Sequence, residues 1–244
     1  MGDSAGAGRV RPAPARLRAL CASRRGTSVD LTLFRYRSFS VGTLAGGLCR
    51  VGLNGAPFLL PLMLQVGFGM SPITSGSLTF VGTFGALLIR PLLSSFLRRF
   101  GFNAVLTGSA LLGSATVAGF ALLRADTPHW TIAVYVFLFG IIRSAQFMTS
   151  NTLSYADLPG EKLSRATSLG GVLQQLSVSL GVSIAAMVLS LVSGQAHAPT
   201  ADQFHWTFLL TAIIPLLPIP GFFFLRAEDG VQVSGYRRKA EARE

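Results

Sequence analysis

The sequence predicts an all-α membrane protein of six transmembrane helices. Three observations carry that prediction. Half of the residues are hydrophobic and only 13% are charged, with a mean hydropathy of +0.53, whereas a soluble domain carries about a quarter charged residues. The apolar residues fall into long runs, each near the ~20 residues needed to cross a bilayer as a helix. The basic residues gather mainly between those runs, as loop residues of a membrane protein do. A closed β-barrel would need alternating segments of about ten residues, and these runs are continuous.

Residues 1–29 come first. They are rich in arginine and small residues, and Pro12 and Pro14 interrupt any amphipathic helix. No apolar core of the kind a secretory signal needs is present, so a disordered cytoplasmic segment is expected. The membrane bundle then occupies residues 30–227. Its first span, 41–65, crowds Gly46, Gly47, Gly52 and Gly55 ahead of Pro57 and Pro61. A proline removes one helical hydrogen bond, which predicts a bend near residues 54–61 with freed carbonyls turned inward. The turn GFGMSP leads to the second span, 72–93, and FLRRFGF joins it to the third, 104–123. RADTPH precedes the fourth, 130–150; YADLPGEKLSR precedes the fifth, 168–192; and SGQAHAPTADQ precedes the sixth, 205–225. Residues 228–244 form a charged tail. Lipid offers no partner to an open backbone group, so each span must be helical.

Orientation follows from the Lys and Arg residues at the span ends. Arg35 and Arg37 precede the first span, Arg98 and Arg99 lie in the second connection, and Lys162 and Arg165 in the fourth. The leading segment and the tail are also basic, while Arg124 stands alone on the opposite side. The expected arrangement is a multi-pass protein of the bacterial inner membrane with both termini cytoplasmic.

Several function classes are excluded at this level. A net charge of +11 would suggest nucleic acid in a soluble chain; here its distribution is topological, and no nucleic-acid partner is expected. Cys21 and Cys49 are too far apart for a zinc ligand pair, and His129, His197 and His205 are scattered. Lys162 and Lys239 are the only lysines and neither follows a glycine-rich loop. No metal, no cofactor and no enzymatic activity are expected.

The informative residues are polar ones at membrane depth. A charge at the centre of a span costs about 2.5–3.5 kcal/mol on insertion scales, so such groups face a bundle interior or a wet cavity. Arg50 and Asn54 are four apart in the first span. Arg143, Gln146 and Ser150 form a stripe in the fourth, and Gln174, Ser177 and Gly181 form another in the fifth, with Gln175 alongside. Arg50, Asn54, Arg143, Gln146, Gln174 and Gln175 are therefore candidate lining residues of a shared substrate cavity. The alternative for the amides and serines is hydrogen-bonded glue between helices. Arg90 lies near a span end, where a long side chain can snorkel to the headgroups. Every Asp and Glu maps to a loop, a tail or a span edge.

The runs LTLFRYRSF, LCRVGLNGAPFLLPLMLQVGFGMSP, RPLLSSFLRRFGFNAVL and NTLSYADLPGEKLSRATSLGGVLQQLSVSLGVSIAA, with the closing FLLTAIIPLLPIPGFFFLRAEDGVQVSG, resemble the major facilitator superfamily. The likeness is to its fourteen-span drug:proton antiporter branch, over residues 30–236 and the last six spans. It implies one half of a major facilitator fold, built as 3+3 inverted repeats. It also implies proton-driven, multidrug-type efflux of amphipathic small molecules. The partners would be membrane lipid, a small amphipathic substrate and a second six-span bundle, either another copy or a separate N-terminal half. The alternative is a truncated or non-transporting six-span subunit. FLRRFGF resembles the family's cytoplasmic loop motif through Arg99 and Gly101. Arg98 stands where the motif has Asp, so the likeness does not carry the motif's charge relay to this loop.

Overall fold

The structure, a computed structural model, describes residues 31–194 and 199–225. The expected basic segment 1–29 and charged tail 228–244 lie outside the described residues. Within residues 32–225 the architecture is helical, with no strand among the described residues. Five helices are long and apolar enough to cross a membrane: α1 (Arg37–Gly67), α2 (Pro72–Leu122), α3 (His129–Ala156), α4 (Gly160–Ser193) and α5 (Ala201–Phe222).

The length of α2 is the difference from the hydropathy reading. The second and third apolar runs fall on one helical segment, because FLRRFGF contains no proline and continues the helix from both sides. The segment breaks only at Gly101, which has φ 77° and ψ 169°. That region of backbone space is essentially reserved for glycine. Two arms result, 72–100 and 102–122, and each is long enough at about 1.5 Å per residue to match a hydrocarbon core of about 30 Å.

The two arms run in opposite senses along α3. On the first arm Gly82 meets Val136 and Gly140, Gly85 meets Phe137 and Ile141, and the Ser144 hydroxyl donates to the Ala86 carbonyl at 3.0 Å. Residue numbers rise together, so this arm is parallel to α3. On the second arm Ser109 meets Gln146, Gly113 meets Ile142 and Gly119 meets Tyr135. There the numbers run opposite, so that arm is antiparallel.

The same register argument places the other helices. Gly42 and Gly46 lie against Ser150, and Asn54 against Arg143, so α1 is antiparallel to α3. Gly47 faces Ser177 and Gly55 faces Ala185, so α4 runs parallel to α1. Gly67 meets Phe204, Gly52 meets Pro215 and Gly221 meets Ala45, which makes α5 antiparallel to α1.

Helix α1 is the axis of the bundle: 72% of its apolar window is buried, against 22% for α4. Its sequence explains why it can be central. Small residues let neighbouring backbones approach, which is how helices associate where lipid removes the hydrophobic drive. The bend expected at 54–61 appears as an interruption of the α-helical ladder at Gly55, followed by Pro57 and Pro61. Short π-helical stretches, Val41–Ala45 and Met63–Gly67, lie towards its two ends.

Close approach recurs between the first arm of α2 and α3. A Cβ added at Gly140 would fall on the Gly82 carbonyl, and one at Gly85 on the Phe137 carbonyl. Beyond these contacts, Phe120 anchors an aromatic cluster with Tyr135, Phe139 and Phe208 at centroid distances of 5.2, 5.4 and 5.4 Å. At the opposite end Leu33, Phe39 and Ala166 form a small separate core that seats the start of α4.

Candidate functional site

The site begins with the i, i+4 pair on α1. Arg50 and Asn54 are each only 7% exposed. The Asn54 amide donates from Nδ2 to the Arg50 carbonyl at 2.9 Å, which fixes the amide and leaves its oxygen pointing away from the helix. That oxygen accepts from Arg143 Nη1 at 2.8 Å, across the α1–α3 boundary. One turn further along α3, Phe147 presents its ring to the Arg50 guanidinium, 4.5 Å from the centroid. A cation over an aromatic face gains about 0.5–2 kcal/mol, more as the pair is desolvated. Two arginines are thus held at the helix boundary by an amide and an aromatic ring.

Gln146 sits beside them at 1% exposure. Its Oε1 accepts a hydrogen bond from the Ser109 hydroxyl on the second arm of α2. Among the described residues Arg50 Nε, also buried, has no partner. Orphaned buried donors are rare, because each forfeits its hydration without replacement.

These groups surround a cavity of about 330 Å³. Arg50, Asn54, Arg90, Arg143 and Gln146 supply its polar wall, and Leu53, Phe147 and Val178 its apolar one. A second cavity of about 540 Å³ continues along the first arm of α2 and shares Ala86, Arg90 and Arg143 with it. Among the described residues no Asp or Glu lines either cavity, and the sequence contains none between Asp30 and Asp126.

Of the six candidate lining residues, the structure brings Arg50, Asn54, Arg143 and Gln146 to one cavity. Gln174 is half-buried and Gln175 exposed on α4, and neither is on that cavity's wall. The α4 stripe turns its small members to α1 instead: Ser177 faces Gly47, and Gly181 sits under Val51 and Asn54. Ser150, the far end of the α3 stripe, donates to the Gly42 carbonyl at 2.6 Å and acts as helix glue. In the loop motif, Arg98 and Arg99 are exposed. Arg98 reaches Ser95 Oγ at 3.4 Å, Arg99 lies over its neighbour Phe100, and Gly101 makes the break in α2.

Arg90, near a span end by sequence, is exposed and also lines both cavities. The signal was periodicity: Gly76, Thr79, Thr83, Ala86 and Arg90 follow spacings of three and four and form one small and polar stripe on the arm. Phe147 carries no sequence signal that separates it from its apolar neighbours. Among the described residues no group of three His, Cys, Asp or Glu side chains comes together.

Comparison with known proteins decides the family. The profile described as Major Facilitator Superfamily matches residues 42–242. The chain belongs to the major facilitator superfamily. It is accordingly a multi-pass membrane protein of a transporter family, not of a family of enzymes. Curated relatives that bear the name "Putative multidrug resistance protein MdtD" include one from Pectobacterium atrosepticum, 35% identical over 214 residues. Another, from Cronobacter sakazakii, is 35% identical over 220 residues, and one from Klebsiella pneumoniae is 32% identical over 204. These alignments cover 86%, 87% and 83% of this chain and 46%, 46% and 43% of the respective relatives. The chain therefore spans about half the length of the curated relatives it matches.

Proposed function

We propose that residues 30–227 form a bundle that crosses the membrane six times, one half of a major facilitator fold, flanked by cytoplasmic segments 1–29 and 228–244. The alternation of directions supports this reading. With α1 taken as up, the two arms of α2, then α3, α4 and α5 run down, up, down, up and down. The first three pieces are each antiparallel to their counterparts among the last three, as 3+3 inverted repeats require.

The charges favour cytoplasmic termini. Tyr36 lies 3.4 Å from Lys162 Nζ, so the approach to α1 and the start of α4 share one end. Gly101 is at that end too, since the first arm parallels α3, whose last turns lie against Gly42. Arg35, Arg37, Arg98, Arg99, Lys162 and Arg165 thus collect at one end of the bundle and Arg124 at the other. The positive-inside rule assigns the first end to the cytoplasm.

The function is that of the C-terminal bundle of a secondary transporter: proton-driven efflux of amphipathic small molecules, carried out with a second bundle across the cavity. The carrying observation is the Arg143–Asn54 bridge over a mixed polar and apolar cavity, at the junction of four helices. The names of the relatives point the same way. With no carboxylate in the spans, a buried acid for proton coupling would have to come from the second bundle.

The test is drug resistance in cells that express the chain together with a second bundle, comparing wild type with Arg143→Ala and Arg50→Ala at matched membrane levels. Loss of resistance is expected. Unchanged resistance would remove these residues from the transport path and favour a non-transporting subunit.

A further inference from the structure

We propose that the cavity between α1, α2, α3 and α4 is a subsite for the anionic head of an amphiphile, held by Arg90 and Arg143 with Arg50 beside them. This deepens the efflux reading and rests on it for the idea that a free solute enters.

Three independent features of the site converge on a negative group. Arg50, Arg90 and Arg143 bring three guanidinium groups to one wall. Among the described residues no carboxylate lines that wall or the adjoining cavity. The partners the arginines do have are neutral: Asn54 Oδ1 for Arg143 and the face of Phe147 for Arg50. Neutral partners position a guanidinium without cancelling its charge. Among the described residues the buried Arg50 Nε has no acceptor, so Arg50 keeps its charge behind that wall without an anionic partner. A carboxylate or sulfonate brings two or more strong acceptors and suits the planar fork of arginine.

The other wall selects the rest of the ligand. Leu53, Phe147 and Val178 face the same space, and the adjoining cavity continues past Pro57, Phe80 and Phe139. A bare anion leaves that surface unused. An amphiphile with an acidic head and an apolar body fills both, which favours a solute over a carboxylate side chain from another bundle.

The experiment is a fluorescence titration of the full 244-residue chain in dodecyl maltoside with three ligands of one body: pyrenebutyrate, pyrenebutanol and pyrenebutyl-trimethylammonium. Charged hydrogen bonds discriminate by about tenfold or more, so the carboxylate is expected to bind at least about tenfold tighter than the alcohol, and the cation weakest. Arg90→Gln, at an exposed position where folding is spared, lowers affinity for the carboxylate and leaves the alcohol unchanged; Arg143→Gln does so more strongly. Equal binding of acid and alcohol, a preference for the cation, or indifference to both substitutions would overturn the proposal. Competition separates the two sources of a carboxylate. Phenylbutyrate should displace the probe far better than acetate, and equal displacement would mean that the site reads a bare carboxylate such as a side chain. Binding is measured here without transport, so its failure leaves the efflux reading standing, and loss of efflux leaves the binding result intact.

Discussion

The bridge between Asn54 and Arg143 can be weighed by a double-substitution cycle of Asn54→Ala and Arg143→Gln. Two estimates compete. Interhelical hydrogen bonds within membranes average about 0.6 kcal/mol with a maximum near 1.7, because the unfolded chain also finds partners in the bilayer. Hydrogen bonds to charged groups contribute about 1.5–3 kcal/mol. Here the acceptor is 7% exposed and already oriented by its bond to the Arg50 carbonyl, but Arg143 itself is half-buried beside the cavity. Access to the cavity screens the donor, so the low end of the charged range applies, and a coupling of about 1.5 kcal/mol is expected. Cys49 provides the readout, being free and fully buried against the core of α1. Pulse labelling of Cys49 with a maleimide across an SDS titration, in a Cys21→Ser background, converts unfolding into a free energy for each variant. A coupling at or below about 0.6 kcal/mol would refute the argument, because the pair would then be no stronger than ordinary membrane glue.

The same assay tests the break in α2. Gly101→Ala forces a side chain into glycine-only backbone space and should destabilise by about 1–3 kcal/mol, whereas Gly108→Ala, with nothing within 4 Å of the new methyl group, should be neutral or gain up to about 1 kcal/mol of helix propensity. Equal behaviour of the two would contradict the assigned backbone. Gly140→Ala places a methyl group on the Gly82 carbonyl, where neither backbone can yield; a loss of folded protein on gel filtration is expected, with Gly171→Ala as the tolerated control. Finally, cysteines introduced at Arg98 and at Ala125 should react with a membrane-impermeant maleimide from opposite sides of the membrane, position 98 only after the cells are opened. Labelling of both from one side would reject the six-crossing topology.

Hydropathy and charge carried most of the fold, because the bilayer imposes length and polarity rules that act one residue at a time. The exception is the link 94–103. Its turn is made by one backbone angle at Gly101, and FLRRFGF otherwise reads as helix from both sides, so span counting and helix counting disagree there. The site was legible to the extent that it obeyed helical periodicity. Arg50 with Asn54, and Arg143 with Gln146, share faces by spacing alone, and the structure sets those four on one cavity. Spacing could not tell which end of a stripe meets a cavity and which meets a neighbour. Ser150 and Ser177 turned to helix packing for that reason, and Gln174 and Gln175 stand off this wall. Arg90 illustrates the converse, since its place near a span end left its stripe with Thr79, Thr83 and Ala86 unread, and that stripe borders the cavity. Gln146 and Ser109 meet across helices, and no local rule encodes that pairing.

The break at Gly101 also has a mechanical side. A reversal made at a single residue has no slack, so the arms 72–100 and 102–122 cannot slide past each other without straightening the joint or tearing it. Turning the Gly101 backbone angles would instead spread or close the arms on α3 and alter the space around Arg90, since a few residues can absorb such a change. Further play lies at the other end of the two arms, in 68–71 and 123–128, where the chain has loop rather than helix.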